Sequence, residues 1–208
     1  MNQSDSLKQR YERYGLIDIL SLEPSIVSDV RYATSNNFTG KILYKENIGL
    51  YCEPDIAHAV ANAQCDLKLI DEELSLVIFD AARPMSTQKE MFDLVKGTEN
   101  ERFIANPYGE HVGGFHNYGM AVDVAIVDKD GNMLNFGTDY DSFNPIAHSN
   151  NEAEIVKKGD LSIEAYKNRM LLYYVMGKNK MLPYEYEWWH FQLTYNEKDK
   201  LKHKLLDF

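Results

Sequence analysis

Cysteine is scarce: the 208 residues include only Cys52 and Cys65, so no disulfide framework holds the fold, and their spacing suits no usual metal pair. Both are read as packed or surface thiols. Positive charge is also in deficit, with 22 Lys and Arg against 32 Asp and Glu and a net charge of -10. Nucleic acids and anionic membranes select for basic surfaces, which argues against both as partners. A small anionic ligand stays open, because one local arginine can hold it. No apolar run approaches the roughly 18 residues of a membrane helix, so no membrane insertion is expected. The polar start Met1-Asn2-Gln3-Ser4-Asp5-Ser6 lacks the apolar stretch of a signal peptide. The chain as it stands therefore reads as cytoplasmic, and as periplasmic if a signal has been removed ahead of it. Repeats and low-complexity tracts are absent too.

What remains is ordinary globular composition, 44% hydrophobic and 26% charged. That length supports one sizeable core, so a single domain over residues 1–208 is expected, with 1–25 as a peripheral N-terminal segment. The apolar spacing of Ile56, Val60, Ala63 and Leu67 after Pro54 predicts a helix to about Leu69. Leu76 to Phe79 reads as a buried strand with Asp80 and Arg83 at its end. Ser86 is expected to cap a helix to Val95. A long loop over 98–115, rich in glycine, is expected to rim a pocket. His111 within it is a stray surface group or a competing ligand. Met120, Val122, Val124 and Ile126 alternate as a strand, and Asp128-Lys129-Asp130-Gly131 is a turn that makes the local sheet antiparallel. A helix from Ser162 to Met176 presents Ile163, Tyr166, Met170 and Tyr173 on one face and closes at Gly177. The fold class is α+β, with a mostly antiparallel sheet flanked by helices.

Two stretches carry chemistry. The first is Phe115-His116-Asn117-Tyr118-Gly119-Met120-Ala121-Val122-Asp123, and the second is Glu187-Trp188-Trp189-His190. Two imidazoles and an aspartate supply three ligands to a first-row metal, and a fourth position left to water distinguishes a catalytic zinc site from a structural one. Glu187 is then the general base. Imidazole and carboxylate suit zinc, one ion per chain, while iron, cobalt or manganese remain compatible. Strand parity raises a difficulty. Residues three or seven apart on a regular strand face opposite ways, so both Glu187 with His190 and His116 with Asp123 require a bend or bulge.

These motifs resemble the zinc D-alanyl-D-alanine dipeptidase family, relatives of the peptidoglycan D,D-carboxypeptidases. The order His-x-x-Gly-x-Ala-x-Asp followed by Glu-x-Trp-His is joined by Arg31-Tyr32-Ala33-Thr34, Asp80-Ala81-Ala82-Arg83-Pro84 and Gly137-Thr138-Asp139-Tyr140-Asp141, in the family's order and at about its spacing. The resemblance implies a hedgehog/D,D-peptidase-like fold and hydrolysis of the D-alanyl-D-alanine dipeptide to two D-alanines. By the same resemblance, His116, Asp123 and His190 hold zinc, Glu187 is the base and Arg83 stabilises the transition state. Asp141 matches the aspartate that receives the dipeptide's ammonium, with Asp139 as its rival; otherwise it is a loop carboxylate. Tyr32 is either a packed strand aromatic or, as the family implies, a wall of the substrate pocket. The chain departs from the pattern at Gly114, where the family usually has serine, and at Ala82, where an aromatic is common. Two alternatives stand beside this reading: a D,D- or L,D-carboxypeptidase acting on longer stem peptides, and a zinc-bearing binding module without catalysis. Oligomeric state stays open.

Overall fold

The computed structural model describes residues 6–45, 48–109 and 112–208. His111 lies outside the described residues. In chain order the elements are α1 (Leu7–Tyr14), β1 (Ile17–Asp18), α2 (Ile19–Leu22), β2 (Val27–Ser28), β3 (Tyr51–Cys52), α3 (Pro54–Ile70), β4 (Ser75–Asp80), α4 (Met85–Val95), β5 (Ala121–Val127), α5 (Glu152–Lys158), α6 (Ile163–Lys178), β6 (Leu182–Tyr184), β7 (Glu187–Gln192) and α7 (Glu197–Lys200). The main sheet has the order β2-β4-β5-β7-β6. Among the described residues, only the β2–β4 pair is parallel. This is the expected α+β architecture with a mostly antiparallel sheet.

The central strands explain the rest. β5 is flanked by β4 and β7, and all seven of its residues are buried, so its alternation does not divide wet from dry. α3 and α6 pack on each other and on the sheet. α3 starts with Pro54 in its first turn, where a missing N–H costs nothing, and buries Ile56, Val60, Ala63 and Leu67 along one face. Among the described residues no helix is long and apolar enough to cross a membrane.

Several local expectations change. The segment expected at the periphery sends Tyr11, Leu16 and Ile19 into the core, and the Tyr11 hydroxyl donates to the Ala82 carbonyl at 2.8 Å. The strand through 27–32 ends after two residues, and Arg31–Ala33 is a 3-10 turn. Ser86 is not a cap: Pro84 precedes the first turn of α4, and the Ser86 hydroxyl donates to the Phe208 carbonyl. In α6 the buried face is Ala165, Arg169, Leu172, Val175 and Met176, while Ile163 is 63% exposed. The physical reason is Arg169. Its guanidinium, fully enclosed, donates to the carbonyls of Phe136, His148 and Ile146 at 2.9, 3.1 and 2.8 Å. A buried charge tolerates enclosure when its donors are satisfied in this way. Arg169 thereby fastens the irregular segment 135–148 to the core.

Candidate metal centre

His116 sits in the 3-10 turn Phe115–Tyr118, just before β5. Gly119 ends that turn with φ +69, in the left-handed region open to glycine, and a Cβ there would lie 3.0 Å from Leu16 and 3.3 Å from the Glu53 nitrogen. The turn carries His116 back over the strand toward Asp123, which supplies the first bend. Asp123 on β5 lies directly opposite His190 on β7. The second bend is a register shift between β6 and β7: Pro183 pairs with Phe191, and the next residue, Tyr184, pairs with Glu187. This irregularity turns Glu187 toward His190, with its Oε2 3.6 Å from Nδ1.

Three candidate ligand atoms converge. His116 Nε2 is 3.1 Å from His190 Nδ1, and each is 3.2 Å from Asp123 Oδ1. Ligands about 2.0–2.1 Å from a tetrahedral ion lie roughly 3.3 Å apart, close to each edge of this triangle. The outward nitrogens account for the protons of the neutral rings. His116 Nδ1 faces the Ala81 carbonyl at 2.7 Å, and His190 Nε2 faces Gln192 Oε1 at 3.0 Å. Lone pairs are then left pointing inward at one carboxylate oxygen. A proton on an inward nitrogen bridges one edge of the triangle; a single cation satisfies all three corners. The donor set therefore fits a metal ion, and among the described residues it is the cluster of this kind. The other Asp123 oxygen accepts from the Tyr140 hydroxyl at 2.9 Å and lies 3.9 Å from the Arg83 guanidinium. Burial pushes the Asp123 carboxyl up, but when the imidazoles instead carry their protons toward it, with no ion between them, their charge and hydrogen bonds outweigh burial and hold this group below the usual carboxylate range.

The remaining candidates line one cleft of about 700 Å³ with the three ligands. Glu187 is partly exposed in it, and burial, with Asp123 and Asp141 adding to it, pushes its carboxyl up to about 7. Arg83 is buried, with Nε on Asp80 at 2.8 Å and an outer nitrogen on Gln88 at 2.9 Å. Tyr32 answers to both readings, being a packed aromatic that also lines the cleft, in a turn and not a strand. Its hydroxyl donates to Asp141 at 2.9 Å, and the Phe38 N–H donates to the other oxygen at 3.3 Å. Asp141 has φ +61, a left-handed conformation that aspartate adopts more readily than most residues. Burial and the nearby Asp123 push its carboxyl up to about 7. Asp139, the rival, is exposed and does not line the cleft.

The loop over 98–115 contributes Arg102 to Asn106 and Gly113 to Phe115 to the rim. Of the two departures from the family pattern, Ala82 is buried away from the cleft, whereas Gly114 lines it. Tyr140, Gln192 and Arg169 were not singled out from sequence. Gln192 carried a usable signal, since residues two apart on a strand share a face and it follows His190 by two.

Comparison with known proteins agrees with the geometry. The family described as D-ala-D-ala dipeptidase, Peptidase_M15, matches residues 12–208. The chain is similar to the D-alanyl-D-alanine dipeptidase of Escherichia coli (strain K12), 28% identical over 178 residues, which covers 86% of this chain and 84% of that protein. It is also similar to the D-alanyl-D-alanine dipeptidase of Enterococcus faecalis (strain ATCC 700802 / V583), 26% identical over 188 residues, 79% of this chain and 84% of that one.

Proposed function

The chain belongs to peptidase family M15, the D-ala-D-ala dipeptidase family of metallopeptidases, and from that premise we propose that it hydrolyses the D-alanyl-D-alanine dipeptide to two D-alanines at a single zinc site. His116, Asp123 and His190 would hold the ion. Zinc supplies Lewis acidity, which lets water ionise near pH 7 and polarises a carbonyl. Glu187 takes the proton of the attacking water on its carboxylate and returns it to the leaving amine, a contribution of roughly 10² to 10⁴ in rate. The arrangement suits that role: Oε2 stands 3.6 Å from a ligand nitrogen and faces the cleft. Arg83, aligned by Asp80 and Gln88, holds positive charge against the oxygen that becomes negative.

Asp141 receives the free ammonium of the dipeptide. A buried carboxylate whose neighbours include Asp123 is poorly compensated until a cation joins it, and an ammonium is such a cation. Tyr32 holds that carboxylate from one side and closes the wall behind it. This end of the cleft favours a free dipeptide over a longer stem peptide whose amino end is blocked. The observation that carries the reading is the convergence of two imidazole lone pairs and one carboxylate oxygen beside Glu187. The test is release of D-alanine from the free dipeptide and from its N-acylated form, before and after chelation. Chelator-sensitive turnover of the free dipeptide alone supports the reading; equal turnover of both forms rejects the ammonium pocket.

A further inference from the structure

The two histidines face the ion site through different nitrogens, His116 through Nε2 and His190 through Nδ1. Which nitrogen of a neutral ring is bare depends on what accepts the proton of the other. For His116 the acceptor is the main-chain carbonyl of Ala81, which no substitution removes. For His190 it is a side chain, Gln192, two residues further along β7. An amide can be placed either way round, but here a second bond decides. The Gln192 nitrogen donates to the Thr194 carbonyl at 2.7 Å, so the amide oxygen must face His190. Gln192 is 3% exposed, which leaves little room for water to act as the acceptor instead.

We propose that Gln192 is a positioning residue of the metal centre: its side-chain oxygen keeps the His190 proton on Nε2 and so presents the Nδ1 lone pair to the ion. This rests on the metal-centre reading above. Without that acceptor the ring gains by moving its proton to Nδ1, where Asp123 Oδ1 waits at 3.2 Å. The proton then occupies the place of the ion, and one ligand is lost to an internal hydrogen bond. Partners of this kind around a metal site typically change its affinity by about 10- to 100-fold.

Two variants separate positioning from plain structural support. Gln192→Met removes both the acceptor and the bond to Thr194, whereas Gln192→Glu keeps an acceptor for His190 and loses only the bond to Thr194. Nitrogen-15 NMR of the metal-free full-length protein at about pH 8, where an ordinary imidazole is neutral, should show the His190 proton on Nε2 in the parent and in Gln192→Glu, and on Nδ1 in Gln192→Met. Zinc competition against a chelator should show Gln192→Met weaker by about 10- to 100-fold and Gln192→Glu at least as tight as the parent. The inference is overturned if Gln192→Met keeps the parent's tautomer and affinity. It is equally overturned if Gln192→Glu is as weak as Gln192→Met, since the tie to Thr194 would then be what matters. A parent that takes up no zinc would sink the metal-centre reading, while the tautomers would still decide the role of Gln192.

Discussion

Replacing Asp141 by asparagine should make the metal-free protein more stable and the enzyme nearly inactive. Burial, with Asp123 nearby, raises the Asp141 carboxyl from an ordinary 3.8 to about 7. Three pKa units correspond to about 4 kcal/mol of penalty for holding the charge in the folded protein, an upper bound because the cleft admits solvent. A folded-state pKa that lies above the unfolded one contributes stability below the unfolded pKa, and that contribution is lost as pH rises through the folded value. Asp141→Asn should therefore match the parent near pH 4 and gain on it progressively up to about pH 7. The bond from the Tyr32 hydroxyl survives, but the Phe38 N–H then faces an amide N–H₂, which reduces the gain. A net 2 kcal/mol corresponds to a rise in Tm of about 4–8 °C for a chain of this size. Activity moves the other way. Leaving an ammonium buried without its partner costs about 3–5 kcal/mol, a loss of roughly 10² to 10⁴ in kcat/KM for the free dipeptide. Thermal unfolding of chelator-treated protein from pH 4 to 8, with kinetics on the free and N-acylated dipeptides, checks both halves. Unchanged Tm across that range together with parental kcat/KM would refute the reasoning.

Glu187→Gln should lower kcat by roughly 10² to 10⁴ while metal content, measured by elemental analysis, stays at the parent's level. Arg83→Lys keeps a charge beside Asp80 but loses the fork that also reaches Gln88, so kcat should fall by about 10² to 10³ with little change in KM. Arg169→Met leaves three carbonyls without their donor, at about 1–3 kcal/mol each where they stay dry. A marked drop in Tm is expected, and a higher KM as well, because the loosened segment carries Asp141; an unchanged Tm would show that Arg169 does not fasten it.

The long elements and the His116, Asp123, His190 cluster were legible because each rests on a strong local signal. α3 follows from a proline-started apolar stripe, and β4 from a buried run between charged flanks. The need for bends at Gly119 and before His190 follows from strand parity alone, and both bends are present. What was not legible depends on partners distant in sequence. The buried face of α6 is set by Arg169, a residue that spacing rules place outside, and its three carbonyl partners lie 21 to 33 residues away. Tyr11 enters the core because the carbonyl of Ala82, 71 residues on, meets its hydroxyl. In the site, Tyr140 and Gln192 escaped notice because each contacts a candidate ligand, Asp123 or His190, and is not itself one. Tyr32 could not be resolved between packing and pocket because it does both.

Zinc uptake by the metal-free protein, read together in the parent and in His116→Ala, Asp123→Ala and His190→Ala, tests the central claim most directly. One equivalent should bind the parent, with X-ray absorption showing imidazole and carboxylate ligands, and each substitution should abolish or severely weaken that binding. A parent that binds no zinc, or three variants that bind it as tightly as the parent does, would contradict the account.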